Sequence, residues 1–238
     1  MNKKQAFISV GSYALAILFL IMLFYSKKFT QTSVTPISKK IIIIDAGHGI
    51  PDGGAVSKSG VKESELNLSI ANELKKILIK NGATVVMTRT GKTSLSNSKT
   101  NNKKEDMQKR KEIINNIKAD VFISIHMNFF SDSKYYGAQV FYNGINLSNK
   151  NLANYIQQQL IDIGHQKNTR KIKEDNTLYI LKDSPVPSVL IECGFLSNES
   201  EAKKLNSRKY QKQIANAIYK GVMDFFKYNI TKKNINVN

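Results

Sequence analysis

Four consecutive isoleucines, Ile41–Ile44, run directly into Asp45-Ala46-Gly47-His48-Gly49. A β-branched run without polar alternation marks a strand covered on both faces, and such strands belong to parallel sheets layered between helices. The rest of the chain repeats the theme. Leu66, Ile70, Leu74, Ile77 and Leu78 recur at helical spacing and predict a helix over 62–80, stopped by Asn81-Gly82. Strands are expected at Thr84–Thr88, Val121–Ile125, Gln139–Tyr142, Thr177–Leu181 and Ser188–Ile191. Helices are expected at 105–118, at 150–163, and from Ser200 to Phe226 with a break near Arg208. The alternation predicts an α/β fold: a mostly parallel twisted sheet of about six strands, flanked by helices, in a single domain over 40–228.

Ahead of that domain, residues 6–25 contain no charged side chain, while Lys3, Lys4, Lys27 and Lys28 flank them. Twenty residues of helix reach about 30 Å, the hydrocarbon thickness of a bilayer. No small-residue cleavage site follows, so residues 1–28 read as a signal-anchor rather than a cleaved signal peptide. Residues 29–39 read as a linker and 229–238 as a polar tail. The expected location is exported, on the outer face of the cytoplasmic membrane, anchored or secreted. A single cysteine, Cys193, excludes an internal disulfide and reads best as a small buried hydrophobe. The formal charge is +18, and removing residues 1–28 leaves +14. A basic exported domain suits an anionic partner such as a membrane surface or cell-wall polymer. No nucleic-acid-binding signature accompanies the charge, so nucleic acid is not expected as a partner.

Three polar residues sit just past apolar strands: His48 after IIIIDAG, His126 after VFISI and Glu192 after VLI. In a parallel α/β sheet the carboxyl ends of the strands share one rim, where ligands bind. A fourth comes from the 62–80 helix. With Glu63 at zero and about 100° per residue, the apolar positions fall within roughly 60° of it, whereas Glu65 lies about 200° away. Glu63 is therefore the carboxylate on the buried face, where it needs a partner or a metal. Two histidines and a glutamate form a set that zinc accepts with one position left open for water, and Glu192 fits a proton-transfer role beside it. Each residue also has an ordinary reading: His48 or His126 as a turn residue, Glu63 as a charge favourable to the helix dipole, Glu192 as the partner of a buried arginine.

The segments IIIIDAGHGIPDGGAV, KESELNLSIANELKKIL, VVMTR, ADVFISIHMN and VLIECGFLSNESEAKKL, in that order, resemble the zinc-dependent N-acetylmuramoyl-L-alanine amidases (the Amidase_3 family) over residues 40–226. Within that family the short single domain, the N-terminal hydrophobic segment and GAQVFY are most similar to the germination-specific amidases of spore formers. The resemblance implies one Zn²⁺ per chain on His48, Glu63 and His126, with Glu192 as the catalytic carboxylate. It implies hydrolysis of the amide between the lactyl group of N-acetylmuramic acid and L-alanine, in spore-cortex maturation at the forespore membrane. Ala46, Ile50 and Cys193 depart from common family choices without removing a ligand. Asp45 is a candidate support for a zinc-bound histidine, Asn128 a candidate ligand or substrate contact, and Arg89 a candidate partner for a substrate carboxylate or a loop. Arg170 and Lys171 are candidates for contacting anionic substrate. The alternatives are a non-catalytic peptidoglycan-binding module and a zinc peptidase of stem peptides. With no inhibitory helix in view, an accessory protein is a candidate regulator.

Overall fold

The computed structural model describes residues 35–98, 100–163 and 168–235, together with Ile17 and Phe19. The expected anchor over 6–25 lies, apart from those two residues, outside the described residues, as does His165. No described helix is long and apolar enough to cross a membrane.

Six strands form one sheet: β1 (Ile41–Ala46), β2 (Thr84–Met87), β3 (Val121–Asn128), β4 (Gln139–Tyr142), β5 (Lys173–Glu174) and β6 (Ser188–Phe195), in the order β2-β1-β3-β6-β4-β5. All neighbours are parallel except β4 against β6. Among the described residues of 35–235, five helices accompany them: α1 (Glu63–Lys80), α2 (Lys103–Asn116), α3 (Leu147–Ile161), α4 (Glu199–Leu205) and α5 (Arg208–Ile235). The expected α/β class and the six-stranded, mostly parallel sheet are thus borne out.

Side-chain alternation along the central strands divides the core. Ile42, Ile44, Ile123, Ile125, Val189 and Ile191 face a large cluster with Leu66, Ile70 and Leu74 of α1, Leu152 and Ile156 of α3, and Ile214 and Ile218 of α5. Ile43, Phe122 and Leu190 face the other way, onto Ile114 and Met107 of α2 and onto Leu178, Ile180 and Leu181. Both faces of the sheet are therefore covered, as the run of isoleucines requires. By the same alternation Asp45, Ser124, His126 and Glu192 stand on the α2 face, at the carboxyl ends of their strands.

Three segments differ from the sequence reading. Thr177–Leu181 forms turns rather than a strand. Asp175 Oδ1 accepts bonds from both Thr177 N and Thr177 Oγ1, and Leu178 O accepts from Leu181 N, so local bonding outcompetes β pairing. The strand in this region is instead the two-residue β5, too short to leave an alternation pattern. The final helix continues through residues 229–235 rather than yielding to a tail at 229. At the other end, Ile37 is fully buried and Thr35 Oγ1 donates to Asn81 O, so the second half of the 29–39 segment packs onto the domain.

Candidate active site

The turn from β1 into α1 carries the first histidine. His48 has a positive φ of 61°, a left-handed conformation unusual for a side-chain-bearing residue and recurrent at functional sites. Two buried arginines hold this turn. Arg89 donates to the carbonyls of Ala46, Gly47, Ser64 and Gly91. Arg110, from α2, donates to the carbonyls of Ala46 and His48 and to the carboxylates of Asp45 and Asp106. Arg89 is thus engaged with the loop, and among the described residues its partners are all backbone carbonyls. Burial and the neighbouring charge of Arg110 bring its pKa down to about 10, still charged at neutral pH.

The N-terminus of α1 supplies the buried carboxylate. Glu63 is 3% exposed while Glu65 faces solvent, as the helical phase requires. Glu63 Oε1 is the meeting point of both histidines: His126 Nδ1 lies 2.9 Å away and His48 Nε2 3.2 Å away. The main-chain N–H of Met127 also donates to Oε1, and that of Ala55 donates to Oε2. Burial would raise the Glu63 pKa, but the two imidazoles reverse this and hold it well below the usual carboxylate range. Gly47 and Gly54 leave room for the cluster: a Cβ on Gly47 would overlap the His126 ring, and one on Gly54 would overlap the Glu63 carboxylate.

His48 is oriented from behind by Asp52, whose Oδ2 lies 2.9 Å from Nδ1. Burial lowers the His48 pKa, but Glu63 and Asp52 raise it more strongly, to about 9. Asp45, the expected support, serves elsewhere. Its carboxylate takes bonds from Thr88 Oγ1 and Ser124 Oγ, both at 2.6 Å, and pairs with Arg110. It acts on the site through Arg110 and the backbone of the turn, not through a histidine. Asn128 Oδ1 accepts from the N–H of Phe129, a local turn bond. Arg170 donates to Tyr136 O at 2.6 Å and lies 4.4 Å over the Phe195 ring, which ties it to the loop after β3.

Glu192 completes the group. It is the register partner of His126 on the adjacent strand. The residue is half-buried, yet its Oε2 is sealed from solvent and has no hydrogen-bond partner. Burial raises its pKa to about 7, with the charges of His126 and His48 pulling down and that of Glu63 pushing up. A buried carboxylate oxygen without a donor is costly and points to a group that arrives from outside the chain.

One ligand atom each from His48, Glu63 and His126 lies within 4.8 Å of the others. Ligands held tetrahedrally at about 2.1 Å from zinc are about 3.4 Å apart, close to the two distances seen here. The donor set, its spacing and the unpartnered Glu192 oxygen therefore fit a dication. Asp52 and Asn67 escaped the sequence reading. Asn67 donates to Gly47 O and to Glu63 Oε1, and its position one helical turn beyond Glu63 was the available signal.

Comparisons with known proteins identify the family. Residues 42–224 match the family model described as N-acetylmuramoyl-L-alanine amidase. The germination-specific N-acetylmuramoyl-L-alanine amidase of Bacillus subtilis is 38% identical over 231 residues, covering 95% of this chain and 97% of the relative. The CwlD amidase of Clostridioides difficile, solved in complex with the GerS lipoprotein, is 42% identical with a TM-score of 0.77, over 80% of this chain and all of that one. The catalytic domain of CwlV from Bacillus (Paenibacillus) polymyxa is 30% identical with a TM-score of 0.69, over 79% of this chain and 98% of that one. The chain belongs to the N-acetylmuramoyl-L-alanine amidase family and is an enzyme that acts on peptidoglycan.

Proposed function

We propose that His48, Glu63 and His126 hold one catalytic zinc ion and that Glu192 is the proton-transfer group in cleavage of the lactyl–L-alanine amide. The observation that carries this reading is the sealed, unpartnered Oε2 of Glu192 beside a three-residue donor set. Zinc, when bound, supplies a Lewis acid that polarises the amide carbonyl and acidifies water at the site. Asp52 fixes the His48 ring, and Glu63 is kept ionised by its imidazole and backbone donors. Glu192 takes a proton from the attacking water as its oxygen bonds to the carbonyl carbon. It then hands that proton to the alanine nitrogen as the C–N bond breaks. The products are a free lactyl carboxylate and an intact stem peptide with a free amino terminus.

The setting is proposed from the sequence and from what its relatives are named for. We assign the chain to the spore cortex, at the outer face of the forespore membrane, with residues 6–25 as its anchor. The charge-free stretch between lysine pairs and the similarity to a germination-specific amidase support this. An accessory lipoprotein is the proposed partner, because CwlD was solved bound to one. Digestion of purified peptidoglycan with and without a chelator tests the reading. Free glycan with intact stem peptide, lost with chelator and restored by Zn²⁺, is expected. Shortened stems would indicate a peptidase, and chelator-resistant cleavage would remove the metal.

A further inference from the structure

The segment 177–181, which folds as turns, faces α2 across a cavity of about 230 Å³. Its lining joins the polar His48, Asp52 and His126 and the paired Asp106 and Arg110 to the apolar Met107 and Leu178. It leads past Lys103 and Tyr179 to a second hollow of about 310 Å³, which Lys104 also lines and which no acidic residue lines. Lys103 sits at the junction with its side chain 65% exposed and its Nζ 3.5 Å from Asp52 Oδ2. The two hollows thus share an apolar wall segment at Met107 and a cation, Lys103, on the way out from the histidines.

We propose that this cleft receives the stem peptide, on the leaving side of the scissile amide, and that Lys103 selects substrates bearing a carboxylate close to that amide. The proposal rests on the reaction taking place at His48, Glu63, His126 and Glu192. Charge decides which end of the substrate enters. The glycan side is neutral, since the lactyl carboxyl is consumed in the amide, whereas free carboxylates belong to the peptide. An apolar inner wall suits the alanine methyl group, and an ammonium at the mouth suits an anion one residue further on. Asp106 and Asp45 are paired with Arg110; the acid that shares Lys103 is Asp52, at 3.5 Å and already bonded to His48 and the N–H of Gly54, which leaves the exposed ammonium able to take a second anion.

The test uses two soluble muramoyl peptides that differ only in whether the carboxylate next to the alanine is free or converted to a carboxamide. The zinc-loaded protein should prefer the acid by roughly tenfold in kcat/KM, mainly through KM. K103A should bring the ratio towards unity, K103E should invert it and K103R should keep it; K103A/K104A removes any substitution of one lysine for the other. A damaged metal centre lowers both rates and leaves the ratio alone, so failure of the subsite and failure of the underlying reading are distinguishable. A wild-type ratio near unity, or a preference that survives K103E, would overturn the proposal.

Discussion

Glu192 and His126 are direct partners across β6 and β3, and the sheet register slips immediately beyond them, where Asn128 pairs with Phe195. The slip places one extra residue on β6, a bulge of the kind that re-aims side chains at the edge of an active site. Both residues stand on the α2 face of the sheet. Glu63 reaches the same spot from the first turn of α1, on the other layer, so the group is assembled from both sides of β1.

That geometry makes Glu192 separable from the metal. Glu192→Gln keeps the shape of the side chain, removes the proton acceptor and leaves His48, Glu63 and His126 untouched. We expect kcat/KM to fall by about 10²–10⁴-fold with zinc content unchanged. Burial raises the Glu192 pKa to about 7 in the metal-free protein, and a nearby dication would bring it back down. The acid limb of kcat/KM should therefore inflect below pH 7. A limb above 7, or an active Gln variant, would remove Glu192 from the role.

Under the proposed assignment, zinc competes with a proton at His48. Against the effect of burial, Glu63 and Asp52 raise its pKa to about 9, so the metal-free imidazole is charged at neutral pH. The raised pKa means that the protonated ring stabilises the metal-free fold fully below about pH 6.5 and that this contribution fades as the pH climbs through 9. Zinc binding at pH 7 should release about one proton from this ring, and affinity should grow with pH until about 9. Calorimetric titration in two buffers of different ionisation enthalpy counts the proton. Asp52→Asn should reduce the count and weaken zinc about 10–100-fold.

Much of the site was legible because strand ends and helical phase are properties of short segments. His48, His126 and Glu192 follow apolar strands, and the phase of Leu66, Ile70 and Leu74 separates Glu63 from Glu65 within one turn. What supports those residues was not legible, because it depends on contacts across the sheet. Asp45 partners Arg110, 65 residues away, and no spacing rule reports that. A compositional clue existed: among 36 basic residues only Arg89, Arg110, Arg170 and Arg208 are arginine. Three of the four hold backbone carbonyls in loops near the site, work that needs a rigid fork of donors which lysine lacks. The 177–181 segment misled for the opposite reason. Its Leu, Tyr and Ile content is strand-like, but Leu178, Ile180 and Leu181 fill the α2 face of the core from a turn while Tyr179 stays exposed.

The Asp45–Arg110 pair contributes to the acid sensitivity of the fold. Burial would raise the Asp45 pKa; Arg110, His126 and the hydroxyls of Ser124 and Thr88 overcome this and hold it at about 2. A depressed carboxylate contributes stability above its unfolded pKa of about 4 and loses it as the pH falls towards 2, here about 2 kcal/mol. Asp45→Asn should cost about 3 kcal/mol at pH 7, since it leaves a buried guanidinium with one anion fewer, and should flatten the acid limb of the stability curve. Denaturant melts of metal-free protein at pH 7 and pH 3 give both numbers; equal losses at the two pH values would show that Asp45 is not ionised in the fold.

Gly54 separates stability from metal binding in the other direction. Its φ is +67°, a conformation that costs a side-chain-bearing residue about 1–2 kcal/mol. A methyl group there also meets Glu63 Oε2 and His48 Cδ2, two of the three groups proposed to hold zinc. Glu63 cannot retreat, because its oxygens are fixed by the backbone donors of Ala55 and Met127 and by His126. Gly54→Ala should therefore lower the melting temperature clearly and, in the fraction that folds, lose zinc affinity by at least tenfold, beyond what the fall in stability would produce. Thermal melts with and without excess Zn²⁺ measure the two effects together. The wild type should gain several degrees on metal addition and the variant little or nothing. A variant that gains as much as the wild type would show that the space beside Glu63 is not part of the metal site.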